Sequence, residues 1–209
     1  SRDSLFVGEV DEAGAWTLNM DQLLFAIRKS MCANRPILLL GTAFSFVHLL
    51  DHFESNNIRY RLAEGSRVME TGGYKGRSRE MPKQELHRLI KKYLGIPDSH
   101  IICEYGMSEL SSQAYDRAIQ FCEDDPPPAP SPRVFHFPPW ARVQIVSPET
   151  GTEVPDGERG LIRIFDLANV CSVMAIQTED IGIRRGTGFE LLGRAATAEA
   201  RGCSLMPAH

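Results

Sequence analysis

Along the first half of the chain, runs of consecutive apolar residues alternate with amphipathic stretches. Along the second half, apolar and polar residues alternate one by one. Met20, Leu23, Leu24, Ile27 and Met31 recur at helical spacing, with Asn19 or Asp21 placed to cap them. Pro36-Ile-Leu-Leu-Leu40 is a continuous apolar run, the pattern of a strand buried on both faces, and Gly41-Thr42 ends it. Residues 44–53 read as a helix closed by Asn56-Asn57, residues 58–62 as a short strand, and residues 4–10 as a further candidate strand. Val68-Met-Glu70 leads into Thr71-Gly-Gly73, a strand that ends on a glycine pair. Met81-Pro82 opens the clearest helix, because proline suits a first turn where no amide donor is needed. Leu86, Leu89, Ile90 and Tyr93 form its apolar stripe, Lys91 and Lys92 sit at its negative end, and Gly95-Ile-Pro97 stops it. Residues 100–103 make the next strand. The order strand–helix–strand–strand–helix–strand predicts an α/β fold, a mostly parallel sheet with helices on both faces.

Residues 123–133 hold five prolines, Pro126, Pro127, Pro128, Pro130 and Pro132, and read as a linker or surface loop. Beyond them Arg142-Val-Gln-Ile-Val146 and Gly160-Leu-Ile-Arg-Ile-Phe165 alternate, with Ser147-Pro-Glu-Thr-Gly151 and Pro155-Asp-Gly157 as turns. Residues 172–176, 182–185 and 189–192 complete a set of short strands, a small antiparallel β subdomain. The expected organisation is therefore an α/β unit at 1–122, the proline-rich loop at 123–133, the antiparallel unit at 134–192 and a tail at 193–209.

Composition changes this picture little. The chain has 209 residues, 43% of them hydrophobic and 24% charged, which suits an ordinary globular protein. A net charge of −4 and the lack of any basic stripe argue against a nucleic-acid partner. The uncharged run at 36–50 is too short for a membrane span. Five scattered cysteines without a Cys-x-x-Cys pair indicate neither a zinc site nor a disulfide framework, and free thiols suit a reducing cytoplasm.

Candidate chemistry centres on Glu104-Tyr-Gly-Met-Ser-Glu-Leu110, at the carboxyl end of a strand, where ligands bind in open α/β sheets. Ser108 beside Glu109 offers the oxygen ligands that a phosphate and its Mg²⁺ need, and Tyr105 offers a flat face for a base. A strand end with an exposed turn explains the same residues equally well. Thr71-Gly-Gly73 followed by Tyr74-Lys-Gly76 lets a backbone approach a base or phosphate, though a plain turn is the more frequent meaning. Lys75, Arg77 and Arg79 can hold an anion or simply be solvated. Asp180, in Thr178-Glu-Asp-Ile-Gly182, can bind two ribose hydroxyls or accept backbone donors in a hairpin. Arg194 can reach a phosphate or ribose or lie on the surface. Cys203, beside Arg201, has the features of an accessible thiol nucleophile, although an incidental cysteine is the commoner case. His48 and His52 share a helix face without a third metal ligand.

Taken together and in order, Thr71-Gly-Gly-Tyr-Lys-Gly76, Glu104-Tyr-Gly-Met-Ser-Glu-Leu110, Thr178-Glu-Asp-Ile-Gly182, Leu192-Gly-Arg194 and Arg201-Gly-Cys-Ser-Leu205 resemble the acyl-protein synthetase family of adenylate-forming enzymes. The resemblance implies part of an adenylate-forming fold that uses ATP and Mg²⁺ to activate a fatty acid as acyl-AMP. The acyl group would then pass to a thiol for delivery to an acyl reductase partner. It implies that Gly72 and Gly73 border the adenine and that Tyr105, at the head of Tyr105-Gly106-Met107, stacks on it. Ser108 would contact phosphate, Glu109 would hold Mg²⁺, Asp180 would bind the ribose with Arg194 close by, and Cys203 would accept the acyl group. The family's phosphate loop is not among these residues, so the chain is expected to be the C-terminal portion of a longer enzyme, inactive by itself. A mobile domain bearing a catalytic lysine is not evident either, and Lys75 is the candidate for a compensating cation. Two other readings stay open: an acyl-CoA ligase similar to phenylacetate–CoA ligases, in which Cys203 is idle, and a non-catalytic fragment that binds nucleotide or a partner.

Overall fold

The computed structural model describes residues 4–10, 12, 14, 16–74, 78–116 and 132–195. It divides into two compact units, 1–102 and 103–209.

The first unit opens with a hairpin that the apolar pattern only half announces. β1 (Gly8–Val10) pairs antiparallel with β2 (Trp16–Leu18), a strand not anticipated from the sequence. α1 (Met20–Cys32) follows, capped by Asn19, whose side chain accepts the amide of Gln22. β3 (Leu38–Thr42) and α2 (Ala43–Ser55) are joined without a loop. β4 (Arg67–Thr71) pairs in parallel with β3, in the register Leu40 to Met69. α3 (Lys83–Leu94) begins after Pro82 and ends at Gly95, which has the left-handed conformation that stops a helix. A single 3₁₀ turn, Asp98–His100, leads into β5 (Ile101–Tyr105).

Helical spacing explains the core. Leu23, Leu24 and Ile27 of α1, Phe46, Val47, Leu50 and Phe53 of α2, and Leu86, Leu89, Ile90 and Tyr93 of α3 are all buried in one cluster with Val68 and Ile101. Phe53 and Ile90 have no exposed surface, so each keeps the whole of its hydrophobic gain, roughly 1.5–3 kcal/mol.

Two expectations are corrected here. The run at 36–40 is not covered on both faces: Leu39 packs against the helix core, while Leu38 and Leu40, on the opposite face of β3, are 58% and 61% exposed among the described residues. Residues 58–62 are not a strand. The amides of Tyr60 and Leu62 donate instead to the carbonyls of Tyr93 and Leu94, which the end of α3 leaves without helical partners.

The second unit is antiparallel, as the alternating pattern predicts. β5, in which the division between units falls, pairs antiparallel with β6 (Ala114–Tyr115). β7 (Val134–Phe135), β8 (Ala141–Val146), β9 (Arg159–Asp166), β10 (Ala175–Arg185) and β11 (Gly188–Arg194) form a five-stranded sheet in the order β7-β11-β10-β9-β8. The two strands expected at 172–176 and 182–185 are one strand, β10, whose pairing with β9 is interrupted between Gln177 and Ile181. Its core joins Cys103 and Tyr105 to Phe135, Ile145, Ile162, Ile164 and Phe189.

The start of α2 gives a direct test of the local reading. Thr42 Oγ1 accepts the amide of Ser45 and lies 2.8 Å from its hydroxyl. Thr42→Ala should destabilise the protein by about 0.5–2 kcal/mol in urea unfolding, whereas Thr42→Ser should recover most of that loss.

Candidate functional site

β5 carries an alternating pattern that buries Ile101, Cys103 and Tyr105, and the chain leaves the sheet immediately after Tyr105. The Tyr105 ring is only 7% exposed. It packs edge-on against Phe189, Phe135 and Phe137, with centroids 5.2, 6.2 and 6.4 Å away. Little of its face is therefore left for a base. What it presents most clearly is its hydroxyl, which donates to Asp180 Oδ2 at 2.7 Å. Burial, then the Asp180 charge and this hydrogen bond, push the phenol's pKa up, so it stays a donor across the working pH range.

Asp180 lies in the interrupted part of β10 rather than in a hairpin loop. Its cross-strand partner on β11 is Arg194. Arg194 Nε lies 3.3 Å from Asp180 Oδ1, and its Nη2 lies 3.5 Å from Glu179 Oε2. Thr178 donates its hydroxyl to the Ile162 carbonyl and accepts the Asp180 amide, which fixes the backbone where the ladder opens. Both Asp180 oxygens are thus oriented, one by a phenol and one by a guanidinium. Each carboxylate oxygen has a second lone pair for a further donor. The Asp180 side chain is 17% exposed, enough for that donor to arrive from outside.

The segment after Tyr105 is a tight turn. Gly106 allows it: a Cβ there would stand 2.8 Å from Glu104 Oε1 and 3.3 Å from Gln113 Cγ. Met107 packs on the second core, and the Leu110 amide donates to its carbonyl. Ser108 and Glu109 are exposed, and the serine hydroxyl donates to Glu109 Oε2 at 3.1 Å. These two side chains form an outward-facing pair of hard oxygen donors, the type that a Mg²⁺–phosphate group accepts.

The structure thus brings Tyr105 and Arg194 each into contact with Asp180, and pairs Ser108 with Glu109. Gly72 and Gly73 belong to the other unit. Gly72 has φ +69°, a conformation that favours glycine, and an added Cβ at either residue would meet nothing within 4 Å. Arg79 is paired with Asp51 at 2.7 Å and is not a spare cation. Lys75, Arg77 and Cys203 lie outside the described residues.

Sequence reasoning missed Asp166 and Asn169, which bond to the far side of the same turn. Asp166 ends β9 and is fully buried. It accepts the amides of Ser111, Ser112 and Ala168 and the hydroxyl of Ser112. Asn169 donates to the carbonyls of Glu109 and Val173. The only signal in the sequence is an acid three residues before an asparagine, directly after an alternating strand.

Comparisons with known proteins give the fold and the family. Among solved structures, the chain is similar to the McyG A-PCP protein complexed with phenylalanyl-adenylate, with a TM-score of 0.55, 16% identity, and coverage of 85% of this chain and 29% of that one. It is similar to O-succinylbenzoate coenzyme A synthetase from Bacillus subtilis, with a TM-score of 0.53, 17% identity, and coverage of 85% and 36%. It is also similar to MatB from Rhodopseudomonas palustris, with a TM-score of 0.51, 18% identity, and coverage of 86% and 34%. The fold is therefore that of part of an adenylate-forming enzyme. The family model described as acyl-protein synthetase, LuxE, matches residues 4–208, and the chain belongs to that family. Long-chain-fatty-acid–luciferin-component ligase of Aliivibrio fischeri is 26% identical over 198 residues, covering 89% of this chain and 48% of that protein. The ligase of the same name from Vibrio harveyi is 33% identical over 75 residues, covering 32% of this chain and 20% of that protein. The chain thus spans about half the length of the Aliivibrio relative. Among the described residues, no helix is long and apolar enough to cross a membrane.

Asp166 links the site to acid stability. Burial alone would raise its pKa, but the hydrogen bonds from Ser112, Ala168 and Ser111 together outweigh burial and hold it below the usual carboxylate value. Its stabilising contribution is therefore present above the unfolded pKa of about 3.9 and is lost as pH falls through the lower folded value. Urea midpoints measured from pH 6 down to pH 2 should fall below pH 4. In Asp166→Asn, which starts from lower stability, that part of the slope should flatten.

Proposed function

We propose that this chain supplies the nucleotide edge of an ATP-dependent fatty-acid-activating enzyme. The observation that carries the reading is the Tyr105–Asp180–Arg194 constellation beside the strand end that bears Ser108 and Glu109. Family membership supports it, as do the names of the two relatives. The substrates are a fatty acid and ATP.

In the first step a fatty-acid carboxylate oxygen attacks the α-phosphorus of ATP. The bond from that phosphorus to the bridging oxygen breaks, pyrophosphate leaves and acyl-AMP forms. Asp180 accepts the ribose hydroxyls, its position held by Tyr105 and its charge moderated by Arg194. The segment Tyr105-Gly106-Met107 is the proposed border of the base, and the adenine-bordering role that the family resemblance implies for Gly72 and Gly73 is proposed with it. The Ser108 hydroxyl donates to a phosphate oxygen. The oxygen donor set of Ser108 and Glu109 suits Mg²⁺, with Glu109 as its ligand. Mg²⁺ offsets the charge on the phosphate oxygens when it is bound. Lys75 is the proposed compensating cation for the negative charge that develops.

In the second step the Cys203 thiolate attacks the acyl carbon. The bond to the phosphate oxygen breaks and AMP leaves, with the thiol proton passing to solvent. The resulting thioester is the species an acyl reductase partner would take up. Adenylation makes this transfer possible because AMP is a far better leaving group than hydroxide. The reading implies an enzyme of the cytoplasm, where Cys203 stays reduced.

The full protein, incubated with radiolabelled fatty acid, ATP and Mg²⁺, should acquire label that hydroxylamine removes. Cys203→Ser should abolish the label while leaving fatty-acid-dependent pyrophosphate exchange intact. Glu109→Gln should lower that exchange by about 10²-fold with the fold unchanged. Label that survives Cys203→Ser contradicts the thiol role, and label that appears only on added coenzyme A favours a CoA ligase.

A further inference from the structure

Ser108 and Glu109 can act in register only if the main chain beneath them is fixed, and their own side chains do not fix it. Both are exposed, and the bond that joins them is a contact between neighbours. The fixing bonds come from the end of β9. Asn169 Nδ2 donates to the Glu109 carbonyl at 2.7 Å and to the Val173 carbonyl at 3.1 Å. Asp166 Oδ2 accepts the Ser111 and Ser112 amides at 2.9 and 2.8 Å. Asp166 Oδ1 accepts the Ser112 hydroxyl at 2.9 Å and the Ala168 amide at 3.1 Å. The Ser112 oxygen in turn accepts Trp140 Nε1 at 3.0 Å, and Asn169 Oδ1 accepts the Ser111 hydroxyl at 3.4 Å.

We propose that Asp166 and Asn169 are positioning residues for adenylation: they clamp the main chain at Glu109, Ser111 and Ser112, and so hold the Ser108–Glu109 donor pair at the phosphate. The proposal rests on the role given to Ser108 and Glu109 above. Three features separate a clamp from ordinary packing. The bonds are concentrated on the backbone directly following the donor pair. They come from side chains more than fifty positions away, so local chain geometry does not impose them. They also engage both oxygens of a carboxylate with no exposed surface, an expensive group to bury where an apolar residue would fill the space as well. A loop that needs only to be packed has no use for such a group. A loop that must present two oxygens within a fraction of an ångström does.

The clamp predicts a specific kinetic signature in the full protein. Asn169→Ala should raise the magnesium concentration for half-maximal pyrophosphate exchange about tenfold, the scale on which residues supporting a metal ligand act. The KM for the fatty acid should stay within about twofold. A merely structural role would lower the amount of active enzyme without moving the magnesium midpoint. A second readout needs no activity. In protein free of ATP and magnesium, Asn169→Ala should speed hydrogen exchange at the Ser111 and Ser112 amides about tenfold, while amides of β8 keep their rates. Asn169→Asp, of equal size but placing an oxygen against the two carbonyls, should reproduce both effects. An unmoved magnesium curve in Asn169→Ala, alongside a shifted one in Glu109→Gln, overturns the clamp alone. An unmoved curve in Glu109→Gln overturns the assignment of Glu109 and, with it, the clamp's purpose.

Discussion

A carboxylate taken out of water must find donors, and the second unit is organised around that requirement. Asp116 accepts the Cys103 amide at 2.8 Å and pairs with Arg133 at 2.5 Å. Asp166 gathers three amides and a hydroxyl, and Asp180 holds Tyr105 and Arg194. In each case at least one donor lies on a segment distant in sequence. Satisfying the charge therefore ties β5 and the turn after it to the antiparallel sheet. Breaking one such contact leaves a buried charge without its partner, a penalty larger than the net gain of making the bond.

The site follows from these ties. Tyr105 is fixed twice, by three phenylalanine rings around its own ring and by Asp180 at its hydroxyl. The turn that begins at Gly106 leaves from a rigid point and is caught again at Ser111 and Ser112. Between these anchors only Ser108 and Glu109 project freely. A short exposed segment held at both ends by buried groups is a good place to present ligands, because little entropy remains to be lost on binding.

Much of this architecture was legible in the sequence, and the misses have physical causes. The three helices show in their spacing because each buries one face against one core. The antiparallel half shows in its single-residue alternation. Residues 58–62 have strand-like composition, but their amides meet the open carbonyls of α3 before any sheet edge. Leu38 and Leu40 read as buried because a continuous apolar run does not record which face of its strand is covered. Two strands were expected where β10 is one, because the polar Thr178-Glu-Asp180 stretch looks like a loop when it is a break in a single ladder. At the site, the closeness of Arg194 to Asp180 came from the family resemblance and not from any pattern in the residues themselves. The Tyr105 hydroxyl bond was not, since a contact across 75 positions leaves no local pattern. Asp166 and Asn169 were missed for the same reason: their partners lie 54 to 60 positions away.

The central claim is that the oriented Asp180 carboxylate and the strand end beside it receive an adenylate. Calorimetric titration of the full protein with a non-hydrolysable acyl-sulfamoyl-adenosine tests this most directly. The account predicts saturable binding that weakens by at least about tenfold in Asp180→Asn, the scale expected when a hydrogen-bond partner of a ligand hydroxyl is lost. Equal affinity in the wild-type protein and a folded Asp180→Asn variant would contradict it.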